Sequence, residues 1–169
     1  MRSKIDGKWC TLVSGSLAGS QFYTGWFDDT AGTHVHYAKV KGDTGTLLLY
    51  LHGAKVAPSA MTVGTSYINN GTFDGTYSLD VSGIAVTGTL KGTAKVSSTL
   101  YSERSVTVPA GTYTAIKGQY KINLSGTMKL NIQGQNLSPT FNGSITVSFW
   151  ARKGIGAVQT VSLANVKLS

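Results

Sequence analysis

At 169 residues the chain is long enough to bury a core within one domain. Only 13% of its residues are charged, Ser and Thr make up about a quarter of it and Gly numbers 21, a mixture that suits pleated strands with tight turns and suits helices badly. A net charge of +8 leaves room for an anionic partner, the single Cys10 excludes an internal disulfide and cysteine-rich metal sites, and no apolar run approaches the length of a membrane-spanning helix.

Met1 is followed by RSKIDGKWC, which lacks the apolar core of a secretory signal. The chain is then either a cytosolic protein or a mature exported region behind a start Met, and the Ser/Thr-rich, charge-poor composition favours the second. GKWC also lacks the small residues of a lipid-attachment site, so Cys10 reads as a half-buried strand residue. QFYTGWF, THVHYAKVK and TLLLYL read as strands, the last apolar on both faces, with Asp28-Asp29-Thr30-Ala31-Gly32 as a hairpin turn before the second. AKVAPSAMTVG reads as a loop or crossing segment in which Pro58 sets a turn.

The middle of the chain has the clearest pattern. From Ile84 to Val108 the even positions are apolar or small apart from Arg104, including Val86, Leu90, Ala94, Val96, Leu100, Val106 and Val108, while the odd positions carry Thr, Ser, Lys and Glu besides Ala85 and Tyr101. A period of two held this long means antiparallel strand with one dry and one wet face. Gly88 and Gly92 read as a bend, or as a turn that keeps phase.

Phase also reads the turns. A two-residue loop flips the apolar parity and a three-residue loop preserves it. Parity flips across Ser82-Gly83, from Tyr77, Leu79 and Val81 to Ile84 and onward, which predicts a two-residue turn. It persists across Pro109-Ala110-Gly111 into Ile116, Tyr120, Ile122 and Leu124, and across Arg152-Lys153-Gly154, which predicts two three-residue loops. Around Ser125-Gly126-Thr127 the same set continues through Met128, Leu130 and Ile132, leaving either a three-residue loop or a bent continuous strand. The whole reads as all-β, a single domain over residues 1–169 with about ten strands. The expected architecture is one antiparallel, strongly curved sheet, half-barrel or barrel-like, with a β-sandwich as the alternative.

Side chains for chemistry are few. There is no G-x-S-x-G elbow, no phosphate-cradling loop and no dinucleotide fingerprint, so no catalytic residue and no cofactor is assigned. His34 and His36 alternate on a strand and would share a face, the beginning of a metal site that still needs a third ligand. A small metal-dependent hydrolase built on them is the third of three functional readings.

Two faces carry the other readings. Lys91, Lys95, Lys117, Lys121 and Lys129 all lie on the polar parity of the central strands, opposed there only by Glu103. They make a stripe that would suit an anionic glycan or lipid surface. Aromatics are not interleaved as nucleic-acid stacking would require, so nucleic acid is not expected. On the opposite parity, Leu90, Val96, Leu100, Ile116, Tyr120, Ile122 and Leu130 need a cover, supplied either by the protein's own strands or by an apolar ligand.

Two segments carry a family resemblance. YSERSVTVPAGTYTAIKGQYKI, followed by SFWARKGIGAVQTVS, resembles a pattern in exported bacterial proteins of uncharacterised function, in which a VPAGTF-x-A-x-K hairpin precedes a W-[YF]-A-x-G-[VI]-G-x-V hairpin. The upstream AKVAPSAMTVGTSYINNGTFDG resembles their P…VG-x-S-W entry segment, with Tyr67 where Trp is common, so the likeness spans about residues 55–165. Such proteins are similar to half-barrel domains like the periplasmic lipoprotein-localisation carriers, whose concave apolar sheet accepts acyl chains. The resemblance implies a periplasmic or cell-surface location, a hydrophobic or amphipathic ligand or an envelope protein partner, and no catalytic roles. It departs from those carriers in showing no helix to lid the sheet.

Overall fold

The structure, a computed structural model, describes residues 1–17, 20–132, 134–152 and 156–168. Among them are twelve strands: β1 (Arg2–Ile5), β2 (Lys8–Leu17), β3 (Ser20–Asp29), β4 (Gly32–Gly42), β5 (Gly45–His52), β6 (Lys55–Pro58), β7 (Ser66–Val81), β8 (Ile84–Val108), β9 (Gly111–Ile132), β10 (Gln135–Leu137), β11 (Thr140–Arg152) and β12 (Gly156–Leu168). They form one antiparallel sheet in the order β1-β2-β3-β4-β5-β7-β8-β9-β11-β12, with β10 added to β9 and β6 to β4. The chain is all-β as expected, and its one sheet is not closed: β1 and β12 stand at its two ends, so it is neither a barrel nor a pair of separate sheets.

The alternation read from the sequence holds through the long strands. Val86, Leu90, Ala94, Val96 and Ser98 of β8 are buried on one face, opposite Tyr120, Ile122, Leu124 and Met128 of β9, and the threonines and lysines between them are exposed. Gly88, Gly92 and Gly126 all lie inside continuous strands, so neither a phase-keeping turn at the first two nor a loop at Ser125-Gly126-Thr127 forms.

These glycines make room for rings. Phe73, Gly92, Gly126 and Phe141 lie in one row across β7, β8, β9 and β11. The two phenyl rings meet above the paired glycines with centroids 6.0 Å apart, and both are almost wholly buried, at 2% and 1% exposure. A Cβ on Gly92 or Gly126 would stand 2.1 Å from the carbonyl oxygen of Ser125 or Lys91. Tyr77 likewise lies over Gly88 and donates its hydroxyl to the Lys129 carbonyl at 3.0 Å, and Phe149 lies over Gly118. Aromatic rings covering cross-strand glycines pin register and fill the space that the missing side chains leave.

Turn chemistry agrees with the sequence at some points and departs from it at one. Ser82-Gly83 is the expected two-residue turn, with Val81 opposite Ile84 and positive φ at both turn residues (56° and 84°). Asp80 accepts the Gly83 N–H at 2.8 Å. The Pro109-Ala110-Gly111 loop is shorter than expected: Val108 pairs directly with Gly111, so only Pro109 and Ala110 are unpaired. Gly111 rejoins the ladder at once because it adopts φ 132°, which a side-chain-bearing residue avoids. Parity therefore flips at this turn. It is restored by a β-bulge between Leu100 and Glu103, where Leu100 opposes Gly118 but Glu103 opposes Ile116. Residues directly opposite each other share a face, so Val106, which opposes Tyr113, lies on the polar side instead of continuing the apolar stripe, and so does Val108. The other expected loop, Arg152-Lys153-Gly154, falls on residues 153–155, outside the described residues.

The segment AKVAPSAMTVG contains a strand after all. Beyond His52 the chain bends at Gly53 (φ 73°), and β6 stays with β4 while the start of β7, Ser66–Gly71, pairs with β8. The sheet parts there. The gap is bridged by the Ser98 hydroxyl, which donates to the Val56 carbonyl, and by the Lys55 N–H, which donates to Asn69 Oδ1 at 3.0 Å.

The ring-over-glycine row is open to direct test. Phe73→Ala should cost about 3–5 kcal/mol, and Gly126→Ala about 1–3 kcal/mol through forced separation of β8 from β9, both read from urea unfolding midpoints. An unchanged midpoint for Gly126→Ala would show that the close approach is not needed.

Candidate functional site

The apolar face divides into a packed part and a hollow part. Around Phe73 and Phe141, the side chains of Leu51, Val86, Leu90, Val96, Leu124 and Met128 close into a core. Beyond the parting of β6 from β7 the same face opens into a cavity of about 1150 Å³, bounded by β2–β6 on one side and by β8, β9 and β11 on the other. Trp26, Phe22, Leu49, Val56, Ile145 and Phe149 give it an apolar wall. At one end the indole of Trp26 meets Tyr120 edge to face, with centroids 5.3 Å apart and planes at 75°, while its N–H donates to Thr24 Oγ1 at 2.8 Å. Val13 and Val40, 48% and 39% exposed, stand where the wall meets solvent. Burial pushes the Tyr120 phenol far above its ordinary pKa.

Of the seven apolar residues singled out in the sequence, Leu100, Tyr120 and Ile122 line this cavity. Leu90 and Val96 are buried in the packed core, Leu130 packs against it, and Ile116 is half-buried opposite Glu103 beyond the bulge. The opposing wall, from Phe22 and Trp26 to Val56, belongs to the irregular N-terminal half, where no long-period pattern signalled it. Its one sequence signal is that QFYTGWF and TLLLYL are apolar beyond what a single covered face needs.

The histidines gather on the polar face. A bulge in β4 sets Val35 opposite Trp26 and Tyr37 opposite Gly25, so His36 is the extra residue. His34 stacks on Phe27 at 4.6 Å, and Phe27 also meets His36 edge-on at 5.8 Å with the Lys8 ammonium 4.5 Å from its ring centre. His36 in turn lies 6.2 Å from His52. Each imidazole has its own carboxylate: Asp29 at 3.1 Å from His34, Asp6 at 3.8 Å from His36 and Asp74 at 3.2 Å from His52. His34 and His36 do share a face, but no group of three His, Cys, Asp or Glu among the described residues is arranged to hold a metal. Cys10 lies in β2 and is fully buried, more so than expected, and burial pushes its thiol pKa up.

The hairpin turn expected before β4 is Thr30-Ala31, with Asp28 and Asp29 ending β3 opposite Thr33 and Gly32. Asp29 accepts the Ala31 N–H at 2.8 Å and the Gly32 N–H at 3.1 Å, and the Ala31 bond foremost, with His34 next, holds its carboxyl below the usual carboxylate range.

The five lysines of the sequence stripe are all on the polar face of β8 and β9, with Lys91, Lys95, Lys121 and Lys129 exposed and Lys117 half-buried between Tyr101 and Trp150, 5.3 and 5.5 Å from their ring centres. Glu103 does not oppose them. The bulge pairs it with Ile116 on the other side of the sheet and brings Arg104 to their side, opposite Ala115.

No helix among the described residues is long and apolar enough to cross a membrane. Comparison with protein-family models, with curated proteins and with solved structures finds no match to the chain.

Asp29 supplies a pH test. A carboxyl whose folded pKa is depressed contributes stability above its unfolded pKa and loses it as pH falls through the folded value. The stability gap between wild type and Asp29→Asn, from urea curves across the acid range, should be widest near neutrality and close on acidification. A gap that widens on acidification would contradict the assignment.

Proposed function

We propose that this is a non-enzymatic bacterial envelope protein that holds a hydrophobic or amphipathic ligand on the concave side of a strongly curved sheet. The single observation that carries the reading is the apolar cavity of about 1150 Å³, open at the Val13 and Val40 rim. It is ample for a small-molecule site, which ordinarily occupies about 300–1,000 Å³.

The Trp26–Tyr120 contact supports the curvature. Five strand spacings separate β3 from β9 in the sheet order, roughly 24 Å on a flat sheet at about 4.8 Å each, whereas the rings stand 5.3 Å apart. Export to the periplasm or cell surface rests on the resemblance of VPAGTYTAIK and WARKGIGAV to exported bacterial proteins and on the Ser/Thr-rich composition. The apolar wall is interspersed with Ser and Thr hydroxyls, the Gln119 amide and the Lys39 ammonium, so an acyl chain with a polar or anionic head suits it better than a nucleotide.

Lipid carried through purification should appear in native mass spectra, and an environment-sensitive naphthalene dye should brighten on binding and be displaced by long-chain fatty acid. Val13→Glu with Val40→Glu should weaken dye binding by about tenfold or more, since a carboxylate at an apolar mouth loses water when the ligand covers it. Both positions are exposed, so the fold should survive the change. A wild-type protein that neither carries lipid nor brightens the dye would sink the reading.

A further inference from the structure

The polar face of the β8–β9 pair has an order of its own. Marked along β9, with β8 residues placed opposite their partners, its cations fall at Lys117, Lys121, Lys95 (opposite Asn123), Lys91 (opposite Thr127) and Lys129. The steps are four, two, four and two residues. Lys117 to Lys129 is twelve residues of extended strand, about 40 Å at roughly 3.4 Å per residue, on a track one strand spacing wide.

No described carboxylate forms an ion pair with this line. The ion pairs among the described side chains are the three that involve histidine, and no described lysine or arginine has a carboxylate within ion-pair distance. Asp74 sits directly across from Lys91 but engages His52. The bulge at Leu100/Glu103 takes the one acid of the stripe to the other face and adds Arg104 next to Lys117.

The floor between the lysines is hydroxyl and amide, with Thr93, Ser125 and Asn123 on the same face. Aromatic groups stand only at the ends. Trp150 and Tyr101 flank Lys117, and at the far end Tyr50 and the His52-paired Asp74 help line a hollow of about 410 Å³ with Thr89, Lys91, Thr127 and Lys129.

We propose that this track binds a linear acidic polysaccharide, its carboxylate or sulfate groups along the lysines, its hydroxyls on the threonine and asparagine floor, and sugar rings against the aromatic groups at either end. Charge complementarity selects a polyanion. The long, narrow shape selects a chain over a membrane, which a broad basic patch would suit better. The lack of aromatics between the lysines disfavours single-stranded nucleic acid, whose bases stack on such platforms. The site lies on the face opposite the cavity, so its test is independent of the cavity's.

The test compares three probes by fluorescence polarisation or retention: a linear polyuronate oligosaccharide, a single-stranded oligodeoxynucleotide of similar charge, and vesicles containing anionic phospholipid. The polyuronate should bind most tightly and weaken steeply with salt. The Lys91→Ser, Lys95→Ser, Lys121→Ser triple variant should lose about tenfold or more in affinity and show a shallower salt dependence. An Arg2→Ser, Lys4→Ser, Lys41→Ser variant, with the same loss of net charge at other exposed positions, should bind as wild type does. Equal loss in both triples would reduce the effect to net charge and overturn the proposal, as would tighter binding of the oligonucleotide or the vesicles. Because all three seam lysines are exposed, an unchanged unfolding midpoint is expected for the triple variant.

Discussion

Two phenyl rings meeting over two glycines set the geometry on which the rest of the sheet depends. Phe73 and Phe141 come from strands three positions apart, and they reach each other because Gly92 and Gly126 between them carry no side chains. The arrangement brings the β8 and β9 backbones so close that a methyl group on either glycine would strike a carbonyl oxygen. The rings are buried in one cluster with Val35, Leu49, Leu51 and Val56 of the N-terminal strands, which supply the cover that helices give elsewhere. Tyr77 over Gly88 and Phe149 over Gly118 repeat the device along the same strands. Glycine inside a strand ordinarily weakens it. Here each one is matched to a ring.

From that row the two faces take different courses. On the apolar side, packing is complete near the rings and incomplete beyond the point where β6 leaves β7, because a four-residue strand bound to β4 cannot also fill the space beside β8. Ser98 and Asn69 hold the two limbs together across that parting with hydrogen bonds to the β6 backbone. On the polar side, three of the scarce carboxylates pair with the histidines, and among the described residues none lies within ion-pair distance of the lysines of β8 and β9. A chain with seven acids and fifteen bases cannot satisfy both sets, and the distribution decides which part of the surface keeps its charge.

Much of this was legible before any coordinates. The alternation from Val86 to Leu100 and from Tyr120 to Met128 identified the buried face residue by residue, because a strand shows its environment at every second position whatever its partner. The turn at Ser82-Gly83 was readable for the same reason, since parity flips across it with no irregularity on either side. The Pro109-Ala110-Gly111 turn was misread because two departures cancel: a two-residue loop flips parity and the Leu100/Glu103 bulge flips it back. Parity counting sees only the sum. The misreading carried Val106 and Val108 to the wrong face and left Glu103 among the lysines.

The sequence by itself determined an all-β chain, the faces of its regular strands, the scarcity of charged residues and the basic stripe. Each of these follows from composition or from the period-two geometry of the backbone, which is local. Tertiary structure alone decided that the glycines of β8 and β9 lie under rings, that the sheet stays open, that part of the apolar face is hollow, and that each histidine meets its own aspartate. Those outcomes depend on which residue stands opposite which across strands up to dozens of residues apart, and a single-residue bulge resets that register without leaving a mark in the pattern of either strand.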